Sequence, residues 1–265
     1  MKNHTGKPSF FPILLLLLLG GLSCKKDQDN LPAVVDIPIA FHIEMKEKLQ
    51  PGERPLEMEL RTLDVLDCSN YGIDYNLNQG AHTIRLTLKD LILEDPCDDM
   101  EGVASTTLNF GSPEEGDYKL VVTLKNIIKN EGLLEVNPEH YAIRLETTDG
   151  LLISPITLSR IPDNLIWGGV FPQSDSLYLL AETFFSELSL LTVPIHLNPG
   201  TYTGFRVESN NSITLTAPKV PWQGNTFAFR YEGSRSELIN LVEFYRTVGG
   251  EGLPILLFDE EGFVY

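Results

Sequence analysis

Short runs in which apolar and polar residues alternate dominate the chain beyond its first 33 residues. Ile37, Ile39, Phe41, Ile43 and Met45 share one face of residues 34–45. A period of two is the mark of a strand buried on one side. Pro51-Gly52-Glu53-Arg54-Pro55 then breaks the run as a turn. Alternation returns at Leu56, Met58 and Leu60, at Ile84, Leu86 and Leu88, at Tyr118, Leu120, Val122 and Leu124, and at Tyr141, Ile143 and Leu145. Many short strands with turn signals between them predict a sandwich or a barrel.

Towards the C-terminus the period changes. Leu238, Leu241, Val242 and Tyr245 follow at helical spacing, and Gly249 ends the run. Ser234-Arg235-Ser236-Glu237 precedes them with the order of a capping box. An amphipathic helix is therefore expected over 235–248, with its apolar stripe in the core. Residues 177–188 fit either a helix, through Leu177, Leu180, Ala181, Phe184 and Leu188, or a hairpin. Leu253 to Phe258 reads as a last strand, which Pro254 assigns to an edge or a strand start.

Glu115-Gly116-Asp117-Tyr118 resembles the tyrosine corner of immunoglobulin-like sandwiches, in which a Tyr near a strand start ties back to the backbone. Pro199-Gly200-Thr201-Tyr202 follows a second alternating run, Val193, Ile195 and Leu197, and Phe227–Glu232 parallels Tyr141–Glu146. The near-constant offset is what a duplicated β-unit gives, and also what chance gives among aromatic-rich strands. The expected architecture is mainly β. An immunoglobulin-like β-sandwich occupies 34–160, and a second β-rich unit with one amphipathic helix occupies 165–265.

The N-terminus is of another kind. Lys2 and Lys7 precede an apolar run of 10 residues, Phe10 to Leu19, and Gly20-Gly21-Leu22-Ser23-Cys24 closes it. A membrane-spanning helix needs about 20 apolar residues, so this run is too short to span. Its cationic start and small residues before the end fit a cleaved signal peptide over 1–23. The segment resembles the lipobox of bacterial lipoproteins, with Gly21 at the position where that family prefers Leu. Relaxed boxes of this kind are similar to those of Bacteroidota surface lipoproteins, as is the Lys25-Lys26-Asp27-Gln28-Asp29 that follows. The resemblance implies that Cys24 carries lipid and that residues 24–33 form a flexible tether to the outer membrane, at the cell surface. The alternative is a plain signal peptide with Cys24 free or disulfide-bonded.

Charge then narrows the partners. Removal of residues 1–23, which carry two lysines and no acid, takes the formal charge from −17 to −19 and leaves 242 residues. Such a chain repels nucleic acid, so no nucleic-acid partner is expected. With Cys24 assigned to lipid, Cys68 and Cys97 remain. In an oxidising compartment an even remainder favours a disulfide over two buried thiols.

Little else points to chemistry. His42, His82, His140 and His196 form no ligand pair, and no metal site is expected. No serine nucleophile motif and no phosphate-cradling glycine loop occurs. Glu94, Asp95, Asp98, Asp99 and Glu101 crowd an acidic loop around Cys97, but their spacing is not that of an EF-hand. Trp167 and Trp222 are the candidate glycan contacts, against the alternative that both fill the core. The expected function is that of a non-catalytic, lipid-anchored envelope protein, a binding or accessory module for a glycan or protein partner, with no cofactor and no catalytic residue. The alternatives are an exported glycosidase-like hydrolase using paired carboxylates and a structural or adhesive surface protein.

Overall fold

The inward-facing residues of the alternating strands find each other across a sandwich. A computed structural model describes residues 40–93, 96–97, 100–218 and 223–265. In chain order the first half holds β1 (Phe41–Glu47), β2 (Leu56–Thr62), β3 (Tyr71–Gly80), β4 (Thr83–Leu93), β5 (Ser105–Asn109), β6 (Gly116–Leu124), β7 (Ile128–Val136), β8 (His140–Leu145), β9 (Leu151–Ile153) and β10 (Thr157–Ser159). The second half holds β11 (Leu165–Val170), α1 (Asp175–Leu191), β12 (Val193–Pro194), β13 (Gly200–Tyr202), β14 (Phe205–Val207), β15 (Ile213–Leu215), β16 (Asn225–Arg230), α2 (Arg235–Gly249) and β17 (Ile255–Asp259).

One sheet has the order β5-β2-β1-β9. Facing it is a long sheet ordered β15-β14-β13-β10-β8-β7-β6-β4-β3. Ile43, Met45, Leu56, Met58 and Leu60 of the first interleave with Leu86, Leu88, Leu120, Val122, Leu134 and Ile143 of the second. The alternation read from the sequence is thus the core of a mainly β fold, and burying each such side chain contributes on the order of 2 kcal/mol. Most neighbours are antiparallel. β4 and β6 run parallel instead, since the intervening β5 lies in the opposite sheet.

The third sheet has the order β12-β16-β11-β17. Its central strand β11 reads Leu165-Ile166-Trp167-Gly168-Gly169-Val170, every residue buried, as expected of a strand with a layer on each side. Ile166 and Val170 face the two helices, with Phe184, Leu188, Leu238, Val242 and Tyr245. Leu165 and Trp167 face Tyr202, Phe205 and Val207 of β13 and β14. Gly168 allows the close pairing, because a Cβ there would sit 1.9 Å from the Leu256 carbonyl oxygen. β17 is an edge strand, and Pro254 stands just before it.

Residues 177–188, open between helix and hairpin in the sequence, are helical within α1, so the second half carries two helices rather than one. α2 matches the expected span, but its capping box does not form. Ser234 makes no side-chain cap, and the Glu237 carboxylate is engaged instead by the Tyr231 hydroxyl at 3.0 Å. The expected boundary at 160–165 is crossed by the long sheet, where Leu158 of β10 pairs in parallel with Thr201 of β13. The described residues belong to one compact unit. The proposed sequence repeat also divides: β8 lies in the long sheet and β16 in the third.

Cys68 and Cys97 are bonded, with Cα atoms 5.6 Å apart, and close a loop of 29 residues in sequence separation. Chain entropy predicts that a loop of this size contributes about 3–4 kcal/mol. A Cys68→Ser/Cys97→Ser variant is expected to lose that amount in urea denaturation; an unchanged midpoint at unchanged slope contradicts it.

Candidate functional site

The two ends of the sandwich differ. At one end lie residue 40, the start of β1, and the disulfide. The loops at the other end, 48–55, 110–115, 137–139 and 160–163, surround a cleft of about 730 Å³. Its lining includes Gln50, Glu53, Arg54, Ser112, Glu115, Arg160, Asp163, Glu260 and Glu261. Five carboxylates and two guanidinium groups make it polar, with a net negative charge.

Its floor, formed by Arg54, Arg160 and Ile161, rests on Glu47, which lies beneath the lining. In β1 the residues Phe41, Ile43, Met45 and Glu47 alternate inward, so the last inward position carries a carboxylate where its neighbours carry hydrocarbon. The Glu47 side chain is fully buried. A buried charge is tolerated only with partners. One oxygen accepts the Ile161 backbone N–H at 2.8 Å. The other lies 3.4 Å from both the Arg160 Nε and the Tyr141 hydroxyl. The Glu47 backbone N–H donates to Thr203 Oγ1 at 2.8 Å. Arg54 completes the floor by donating to the Ile161 carbonyl and to Asp163.

Burial pushes the Glu47 carboxyl above its usual value, against the downward pull of the Ile161 N–H and of Arg160. The Tyr141 hydroxyl is pushed up to about 12, first by burial and then by the Glu47 charge. At neutral pH Tyr141 is therefore a donor and not a base. Burial also raises Glu260, whose Oε1 accepts the Asn164 backbone N–H at 3.1 Å. Chemically, the floor is committed to internal bonds, and the rim carries the exposed groups a ligand would meet.

A smaller cleft of about 370 Å³ adjoins the first through Glu115 and is lined by Gln79, His82, Phe110 and Tyr118. The Tyr118 hydroxyl donates to the Glu114 carbonyl at 2.9 Å, which is the tie expected of a tyrosine corner. Tyr202 makes the same four-residue tie to the Asn198 carbonyl at 3.0 Å. The two tyrosines singled out as a repeat therefore share a local device, although their strands have different neighbours.

The other residues singled out in the sequence are placed apart from the cleft. Trp167 is 2 % exposed and stacks on Phe258 with ring centroids 5.8 Å apart. It offers no face to a sugar, which corrects its reading as a glycan contact; it fills the core because β11 is covered on both sides. Cys24 and Trp222 lie outside the described residues, as do Glu94, Asp95, Asp98 and Asp99. His42 is buried and its Nδ1 accepts from Arg61 at 3.0 Å. His140 lies 3.1 Å from the Asn137 side chain, and His196 is exposed. Among the described residues no group of three or more His, Cys, Asp or Glu side chains could hold a metal ion. Glu47 was missed by sequence reasoning, although it continues the inward series from Ile37 to Met45 and is the one acid on it.

Comparison with protein-family models, with curated proteins and with solved structures finds no match for this chain.

Removing one partner of a buried ion pair costs about 3–5 kcal/mol, so Glu47→Ala is expected to lower stability by about 3 kcal/mol. The pH dependence has a definite sign. The fold holds the Glu47 proton to higher pH than the unfolded chain does, so ionisation weakens the fold as pH rises above the usual 4.5. In paired denaturation series, the stability of wild type relative to Glu47→Gln is expected to rise as pH falls from 7 towards 4.5. A difference that is flat, or that falls, contradicts the assignment.

Proposed function

We propose that the protein is a non-catalytic lipoprotein of the cell envelope that binds a glycan or protein ligand in the cleft at the end of its sandwich. The observation that carries the reading is the placement of the cleft. The Leu63 N–H donates to the Ala40 carbonyl at the start of β1, and the cleft lies at the opposite end of that strand. Lipid on Cys24 would precede β1 in the chain, and the loops of the cleft follow it, so the anchor and the binding loops are different segments. Loops on a rigid sandwich are where binding groups concentrate. The Cys68–Cys97 bond supports an oxidising, exported location. The tyrosine-corner tie of Tyr118 supports the immunoglobulin-like reading of the sandwich.

A hydrolase reading draws on the same cleft, because Glu260 is raised by burial and other carboxylates stand beside it. Binding is preferred because Glu47, the buried acid beneath the cleft, does not line it and has both oxygens committed to the fold.

Two measurements test the proposal. Cys24→Ser is expected to move the protein from the membrane fraction to the soluble one. Retention in the envelope with the signal removed contradicts lipid anchoring. Against an array of extracellular polysaccharides and envelope glycoproteins, Ser112→Trp with Glu115→Lys is expected to weaken binding at least tenfold. Binding that survives both changes places the ligand elsewhere, and turnover of the bound glycan that Glu260→Gln abolishes favours the hydrolase.

A further inference from the structure

The end of the sandwich opposite the cleft carries an unusual surface. Leu63 and Val65 follow β2, Ile92 and Leu93 end β4, and Val103 precedes β5; all five are exposed, Val65 at 64 % and Ile92 at 54 %. They belong to neighbouring segments. The Thr62 N–H donates to the Ala104 carbonyl, and Leu66 and Gly102 exchange backbone bonds, which sets Leu63 and Val65 beside Val103. The Cys68–Cys97 bond and the Asn70 side chain, which donates to the Pro96 carbonyl at 2.9 Å, tie the two loops together. Exposed apolar side chains grouped on neighbouring segments, rather than scattered singly, mark an interaction surface.

Charge says what fits it. Residues 62–71 and 90–104 together contain eight acids and no Lys, Arg or His. Asp64, Asp67, Asp90 and Glu101 are exposed around the apolar group. An anionic lipid surface would be repelled by such a rim. A second copy would bring acid against acid. We infer that this end docks on a protein partner whose apolar contact surface is rimmed by Lys and Arg. The apolar residues form the dry centre of the contact, and the acids steer the approach and fix its orientation. This surface is separate from the cleft, so one protein could hold a partner at the disulfide end and a ligand at the other.

The test uses the full chain, produced in the cells that make it, with a photoreactive phenylalanine at Val65, at Val103 or, as control, at the exposed Thr214 of β15. The same protein is expected to be captured from Val65 and Val103 and not from Thr214. Its yield is expected to fall at least tenfold when Asp64→Lys and Asp67→Lys are combined, and several-fold with the milder Asp64→Asn/Asp67→Asn pair. Non-reducing electrophoresis confirms that Cys68–Cys97 persists in each variant, and the asparagine pair decides if the lysine pair loses it. Adducts to lipid in place of protein, no adduct at either position, or a yield indifferent to the charge changes would overturn the inference.

Discussion

The structure depends on a carboxylate placed where the core pattern calls for hydrocarbon. Glu47 ends the inward face of β1, and burial would make its charge prohibitive without partners. The carboxylate draws its partners from two places in the chain: Ile161 and Arg160 belong to the link between β10 and β11, and Tyr141 to β8. The Glu47 backbone N–H adds a third, Thr203 in the β13–β14 turn. Satisfying this one residue therefore joins the short sheet of the sandwich to the long one, and both to the segment that begins the helical half. The hydrocarbon core would hold the two sheets together without it. It would not fix where the 160–163 link sits, and that link is one wall of the cleft.

The same economy explains why the floor and the rim of the cleft have different roles. Floor groups are satisfied internally, so they hold their positions with or without a ligand. The exposed acids of the rim are held by the floor and free to meet solvent. The opposite end inverts this arrangement, with apolar side chains outermost and acids around them. β1 spans the distance between the ends, so the two chemically distinct surfaces stand in fixed opposition.

Much of the sandwich was legible because a half-buried strand writes itself as a period of two. Ile84, Leu86 and Leu88 or Leu120, Val122 and Leu124 need no tertiary information to be read. Helix α2 was legible for the corresponding reason at helical spacing, and Cys68 and Cys97 as the even remainder once Cys24 was set aside. The pairing of Leu158 with Thr201 was not, because nothing local records which strands meet across 40 residues of chain. Trp167 was ambiguous because a continuous apolar run does not say how many layers cover it. The capping box at Ser234 failed since a tertiary partner, Tyr231, took the Glu237 carboxylate. Glu47 lay within reach of the pattern, as the one acid on an inward series. Reading the series for its exception would have found the floor of the cleft.

Amide hydrogen exchange on wild type and Glu47→Gln bears most directly on the claim that this carboxylate joins the halves. Protection is expected to fall together at the Ile161 amide and at the Arg160 amide, which donates to the Glu139 carbonyl next to β8, while the centre of the sandwich at Leu86 and Val122 keeps its protection. Loss confined to the Ile161 amide, or no loss beyond it, would contradict the account.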